Sequence, residues 1–181
     1  MITPNVDVEK ISIISTDRGN DICQTITMPR LNLPSYNVRI KKEGGRLLIL
    51  DPIRKKYVTL TPEEWVRQHI INYLVTEKKY PASLISVETK LKYACLDKRS
   101  DLLVCNRNGQ PLMLIESKAP DVTINEKVFD QISIYNLIVQ APYIMASNGV
   151  QHYCLIAATE HFPARFINEI PDYGELKNQL L

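Results

Sequence analysis

The sequence predicts an α/β protein of the α+β kind, in which a mixed β-sheet is flanked by helices and preceded by an N-terminal β-hairpin extension. Three observations predict it. Two stretches of helical periodicity are set among many short apolar segments with strand character. One of those strands, ending at Lys118, is apolar at nearly every position, a pattern that calls for cover on both faces. The chain has 181 residues, 45% of them hydrophobic, enough for one domain with a substantial core and too few for two comfortable ones.

Residues 1–30 are polar and mixed, with short β-like pieces such as Ile11 to Ile14. They are expected to be a weakly structured extension. Met28 stands directly before a more regular stretch, so a misassigned start, with residues 1–27 outside the native protein, is an open expectation.

Residues 31–60 are expected to form a β subdomain. Strands at Asn37 to Ile40 and Arg46 to Leu50 flank the turn-prone Glu43, Gly44 and Gly45, and a third strand runs from Tyr57 to Leu60.

Residues 61–160 hold the core. Thr61 suits a helix N-cap, Pro62 the first helical position, and Glu64, three residues after the cap, the acid of a capping box. Val66, Ile70, Tyr73 and Leu74 follow at helical spacing. Tyr80 and Pro81 close this unit. Ile85, Val87, Thr89 and Leu91 alternate as a strand. Asp101 to Cys105 and Pro111 to Lys118 read as a hairpin around Asn108 and Gly109. Val128, Ile132, Tyr135 and Val139 mark a second helix, ended by Pro142. Strands at Tyr143 to Ala146 and Tyr153 to Ala157 flank Asn148 and Gly149. The order is β-β-β-α-β-β-β-α-β-β, and residues 161–181 are a tail of mixed character.

The formal net charge of +2 neither supports nor excludes nucleic acid. Local basic clusters (Arg39, Lys41 and Lys42; Arg54, Lys55 and Lys56; Lys78 and Lys79; Lys90, Lys92, Lys98 and Arg99) read first as solvated surface. No apolar run approaches the roughly 20 residues of a membrane span, and no secretory signal stands at the start. A cytoplasmic protein without membrane association is expected. Cys23, Cys95, Cys105 and Cys154 form no close pair, which argues against zinc. Cys105 and Cys154 sit in apolar runs and are expected to be reduced core residues. His69, His152 and His161 are scattered and give a histidine-based hydrolase little support.

The hairpin carries the chemistry. Chain reversal at Asn108–Gly109 returns Glu116 to the end of the hairpin where Asp101 stands. Glu116 and Lys118 are two residues apart on a strand and share a face. Ser117 points away but offers its carbonyl oxygen. Two carboxylates are hard ligands suited to Mg²⁺. Such a cation polarises a phosphoryl oxygen and lowers the pKa of bound water. A neighbouring lysine can position that water and offset phosphate charge, or act as general base if its pKa is depressed.

The segment from Ser100 to Lys118, with Glu-Ser-Lys after Leu-Met-Leu-Ile, resembles the PD-(D/E)xK nuclease superfamily, and more narrowly the N-terminal nuclease domain of type I restriction enzyme R subunits. Ser100 replaces the proline of that motif. Gln131 and Tyr135 match the Gln-xxx-Tyr motif of related nucleases, and their four-residue spacing puts them on one helix face. Ser147-Asn148-Gly149 resembles a Thr-Asn-Gly-like stretch of R-subunit domains, although a plain turn explains it.

The resemblance, over roughly residues 35–160, implies a restriction-endonuclease-like core and a DNA endonuclease dependent on Mg²⁺ or Mn²⁺. Asp101, Glu116 and Lys118 would be catalytic. Asp101, Glu116, the Ser117 carbonyl and Glu64 would hold the metal, with Glu64 equally explained as a cap and Glu88 a weaker candidate. Gln131 and Tyr135 would orient the site or contact DNA. R subunits continue into a helicase motor, and this sequence has no phosphate-cradling Gly-rich loop. The expected partners are therefore DNA, a separate helicase or restriction-modification subunits, and a second copy of the chain. The alternatives are a catalytically inactive nucleic-acid-binding or interaction module that keeps the nuclease fold, and an unrelated structural domain.

Overall fold

A computed structural model describes residues 7–17, 20–93 and 96–178. In chain order the elements are β1 (Val8–Asp17), β2 (Asn20–Pro29), β3 (Ile40–Glu43), β4 (Arg46–Asp51), β5 (Lys56–Thr59), α1 (Pro62–Thr76), a 3₁₀ turn (Ala82–Leu84), β6 (Ile85–Tyr93), β7 (Leu96–Cys105), β8 (Pro111–Ser117), α2 (Glu126–Val139), β9 (Tyr143–Ser147), β10 (His152–Ile156), β11 (Arg165–Ile167) and α3 (Tyr173–Asn178).

Two sheets result. The first has the order β2-β1-β3-β4-β5, and the second the order β11-β10-β9-β8-β7-β6. In the second sheet β8 and β9 run parallel and the remaining pairs antiparallel, so the mixed sheet flanked by helices is as expected. Alternation along its strands separates two apolar clusters. Leu102, Val104, Met113, Ile115, Met145 and Cys154 face α1. Leu103, Leu114, Ile144, Ala146 and Leu155 face α2. The uninterrupted apolar run of β8 is thus explained by cover on both sides.

The N-terminal segment departs from expectation. Residues read as a weakly structured extension form the β1–β2 hairpin, and β1 pairs in parallel with β3. Ile11 lies opposite Ile26, and Ile13 and Met28 share their face, so a period-2 apolar stripe was present but diluted by Ser and Thr between. That stripe, with Leu31, Ile40 and Ile49, joins the cluster around Trp65, Val66, Ile70, Ile71 and Leu74 of α1. Trp65 Nε1 also donates to the Pro29 carbonyl at 2.9 Å. Helix α1 is therefore buried nearly all round, its polar Glu64, Arg67, Gln68 and His69 included.

The tail of mixed character packs on the core. Leu176 of α3 is fully buried, and the Tyr80 hydroxyl donates to the Pro171 carbonyl at 2.8 Å. The turn after β9 is locked from the other side. Gly149 has φ +82°, and a Cβ there would lie 2.7 Å from Leu31 Cδ2. Its carbonyl accepts from Asn32 N at 2.7 Å. Cys154 is buried and free, and burial pushes its thiol up to about 12. Cys105 is free but only half-buried. Cys95 lies outside the described residues, as do the side chains of Lys90, Lys92, Lys98 and Arg99. No helix among the described residues is long and apolar enough to cross a membrane.

Candidate active site

The site lies where β7 and β8 part. Their ladder ends at Leu102 opposite Ile115. Beyond it β7 continues along β6 back to Leu96, while β8 continues along β9 to Ser117. Asp101 is therefore interior to β7 rather than at its start as the sequence suggested. One step past the last ladder pair stand Asp101 and Glu116, on the two lips of the opening. Side chains take over where the ladder stops: Asp101 Oδ2 accepts from Ser117 N at 2.7 Å and from Ser117 Oγ at 2.8 Å.

Glu116 is buried, and its Oε1 accepts from Lys118 Nζ at 2.6 Å and from Gln131 Nε2 at 2.9 Å. Gln131 Nε2 also donates to the Tyr135 hydroxyl at 3.2 Å. Helix α2, capped by Asn125, so delivers the Gln-xxx-Tyr pair to the acid on β8. Five sequence-predicted residues, Asp101, Glu116, Lys118, Gln131 and Tyr135, meet in one place, with Ser117 between the acids.

Electrostatics separate their roles. Burial, and after it the Asp101 charge, raises the Glu116 carboxyl to about 7, against the pull of Lys118. Two acids held this close and dry resist ionising together without a cation. For Lys118, burial works to lower the pKa, but the hydrogen bond and charge of Glu116, with Asp101 and Glu63, outweigh it and the net shift is upward. Lys118 is a stable ammonium here, suited to charge stabilisation rather than to general-base work.

Glu64 sits differently from expectation. Thr61 does cap α1, accepting from Glu64 N at 3.0 Å. The Glu64 carboxylate makes no reciprocal cap; it is bound by Arg54, Arg67 and Gln68. The α1 acid that acts electrostatically on Glu116 and Lys118 is its neighbour, Glu63. Glu88 lies opposite Asp101 by the β6–β7 register, at a position where the ladder skips and the backbone takes φ +50°. A left-handed non-glycine residue of this sort is a strained feature typical of functional sites.

Two arginines tie these acids together. Arg67, 5% exposed, donates through Nη2 to Asp101 Oδ1 at 2.9 Å and to Glu63 Oε1 at 3.0 Å. Its Nη1 reaches Glu64 Oε2 at 2.6 Å and Glu88 Oε1 at 3.4 Å. Arg54, expected on the surface, instead bridges the fully buried Asp51 to Glu64 and Glu88. Sequence reasoning missed Arg67 and Glu63. The signal was a cation within the buried helix, three and four residues after two acids.

Asp101, Glu116 and the Ser117 carbonyl are oxygen donors of the type a hard divalent cation takes. Six carboxylates (Asp51, Glu63, Glu64, Glu88, Asp101, Glu116) stand against three cations (Arg54, Arg67, Lys118), so the cluster is formally short of positive charge. Among the described residues no three His, Cys, Asp or Glu side chains converge as a ready-made metal cage. Asp101 and Glu116 with the Ser117 carbonyl would leave the remaining positions to water or phosphate oxygens, which is how Mg²⁺ is commonly held.

An opened β-hairpin bearing two acids and a lysine, backed by a helix with Gln-xxx-Tyr, within an α-β-β-β-α-β core, defines a restriction-endonuclease-like domain. The family model described as type I restriction enzyme R protein N terminus (HSDR_N) matches residues 62–171, more than half of the chain. The chain belongs to that family. A solved fragment assigned as an HsdR subunit of a type I restriction enzyme from Vibrio vulnificus YJ016 is similar at 18% identity and a TM-score of 0.49, over 67% of this chain. This chain spans 25% of the length of that one. Comparison with curated proteins gives no match.

Proposed function

We propose that this domain is a DNA endonuclease that hydrolyses phosphodiester bonds with Mg²⁺ or Mn²⁺, acting within a type I restriction system. The observation that carries the proposal is the meeting of Asp101, Glu116 and Lys118 at the β7–β8 opening, with Gln131 and Tyr135 behind Glu116. The bound cation supplies Lewis-acid activation of the phosphate and of water.

The protein's own groups do the rest. Ser117 fixes Asp101 through two hydrogen bonds, and Gln131 fixes Glu116 through one. Lys118, kept as an ammonium, neutralises charge that develops on the phosphoryl oxygens and orients the attacking water. Tyr135 holds Gln131 in place. DNA, a separate helicase or restriction-modification subunits, and a second copy for double-strand cuts are the partners this role implies.

A second reading is a catalytically inactive module that retains the fold and binds nucleic acid. One observation favours it: Asp101 Oδ1 is already taken by Arg67. Incubation of duplex DNA with the protein in Mg²⁺, Mn²⁺ or chelator separates the two. Endonuclease function predicts cleavage that chelator stops and that Asp101→Ala or Glu116→Ala abolishes with the fold intact. Metal-independent cleavage, or full activity in either variant, would sink the assignment.

A further inference from the structure

Arg67 is the least expected group at the site. Among the described residues it is the only buried lysine or arginine, it lies on α1, and its Nη2 is shared between Asp101 and Glu63. Guanidinium does not deprotonate in proteins, so it cannot leave Asp101 by losing its charge. It can leave by a small movement. Released from Asp101, Nη2 retains Glu63, and Nη1 retains Glu64 and Glu88. Its buried Nε has no hydrogen-bond partner in this pose. On the other side, Asp101 retains Ser117 N and Oγ on Oδ2 whichever cation holds Oδ1.

We propose that Arg67 is a positioning residue for Asp101 that competes with the divalent cation for Asp101 Oδ1. The proposal rests on the nuclease reading above, since it presumes a metal at Asp101 and Glu116. In the metal-free protein Arg67 holds the Asp101 carboxylate toward the β7–β8 opening and offsets its charge. When the cation binds, Oδ1 passes to it and the guanidinium withdraws onto Glu63, Glu64 and Glu88. Exchange of one cation for another keeps the cluster from ever carrying Asp101 and Glu116 uncompensated. It also sets a threshold of metal concentration below which the site is closed.

The test is calorimetric titration of Mn²⁺ into the chelator-treated 181-residue protein, with no DNA present. Removing a unit charge beside a metal ligand strengthens cation binding, so Arg67→Gln is expected to bind Mn²⁺ roughly tenfold more tightly than wild type. Arg67→Lys keeps the charge and so guards against misfolding. A single ammonium cannot span Asp101, Glu63 and Glu64 together, and its gain is expected to be smaller. Asp101→Asn, run alongside, locates the binding event. Mn²⁺ binding by an Arg67 variant that exceeds wild type, including binding seen in the variant alone, supports the proposal. Asp101-dependent binding in wild type that is equal or weaker in the folded Arg67 variants overturns it and leaves the nuclease reading standing. No Mn²⁺ binding by wild type or by either variant overturns both.

Discussion

Glu116→Gln is the substitution whose effect on stability is most directly worked from the site. Glu116 is buried beside Asp101, and its carboxyl is raised from the ordinary 4.5 to about 7. In the unfolded chain it titrates near 4.5. Between these values the native state binds more protons than the unfolded state, so stability falls as pH rises through that window. Below about pH 4.5 both states are protonated at this site and the Gln variant, an isostere of the neutral acid, should match wild type. Above pH 7 the ionised wild type carries the full penalty. A shift of this size corresponds to about 3 kcal/mol, an order-of-magnitude figure that already includes the favourable Lys118 contact. For a chain of this length that is roughly 6–12 °C in Tm. Metal-free thermal or urea unfolding of both proteins from pH 4 to pH 8 is the assay. Wild type should lose stability across the window while Glu116→Gln, now the more stable, lacks that component. Parallel curves, or a variant less stable than wild type at pH 8, would refute the claim that crowding and burial raise this carboxyl.

Three further outcomes are expected. Mn²⁺ affinity should rise about tenfold per pH unit up to pH 7 and flatten above it, because Glu116 must lose its proton to serve as a ligand; an affinity constant from pH 5.5 to 7 would contradict this. Gly149→Ala should cost about 2 kcal/mol in urea unfolding, from the left-handed backbone at φ +82° and the 2.7 Å approach to Leu31 Cδ2, with a loss below about 0.5 kcal/mol counting against the tight packing of that turn. Tyr80→Phe removes the donor to the Pro171 carbonyl and should cost about 1 kcal/mol in thermal unfolding; an unchanged Tm would mean that the tail is not held there.

The parts of the fold that were legible in the sequence are those that obey local rules. The Asn106–Gln110 turn holds its glycine at φ +78°, and the Asn106 side chain accepts from the Asn108 and Gln110 amides. Thr61 and Pro62 start α1 where the capping pattern puts them. The continuous apolar run of β8 and the Glu-x-Lys spacing gave the acid and lysine on one face. What escaped was set by tertiary pairing. The β1–β2 stripe is weak locally and gains its meaning only against α1. Glu64 satisfies a capping pattern in sequence, yet two arginines and a glutamine outcompete the backbone amide for its carboxylate. Arg54 reads as one of three surface cations until the buried Asp51 draws it inward. The pairing of Arg67 with Asp101 spans 34 residues, beyond the reach of any helical or strand periodicity.

Conversion of supercoiled plasmid in Mg²⁺ by wild type and by Lys118→Ala, matched by circular dichroism, tests the central claim most directly. In the proposed function Lys118 would be the charged donor at the reacting phosphate, and loss of one such donor typically slows the chemical step by about 10²–10³-fold. The expected result is nicked or linear DNA with wild type, none with chelator, and a loss of that size in the variant. Lys118→Ala that cuts as fast as wild type, or a wild type inert with both Mg²⁺ and Mn²⁺, would contradict it.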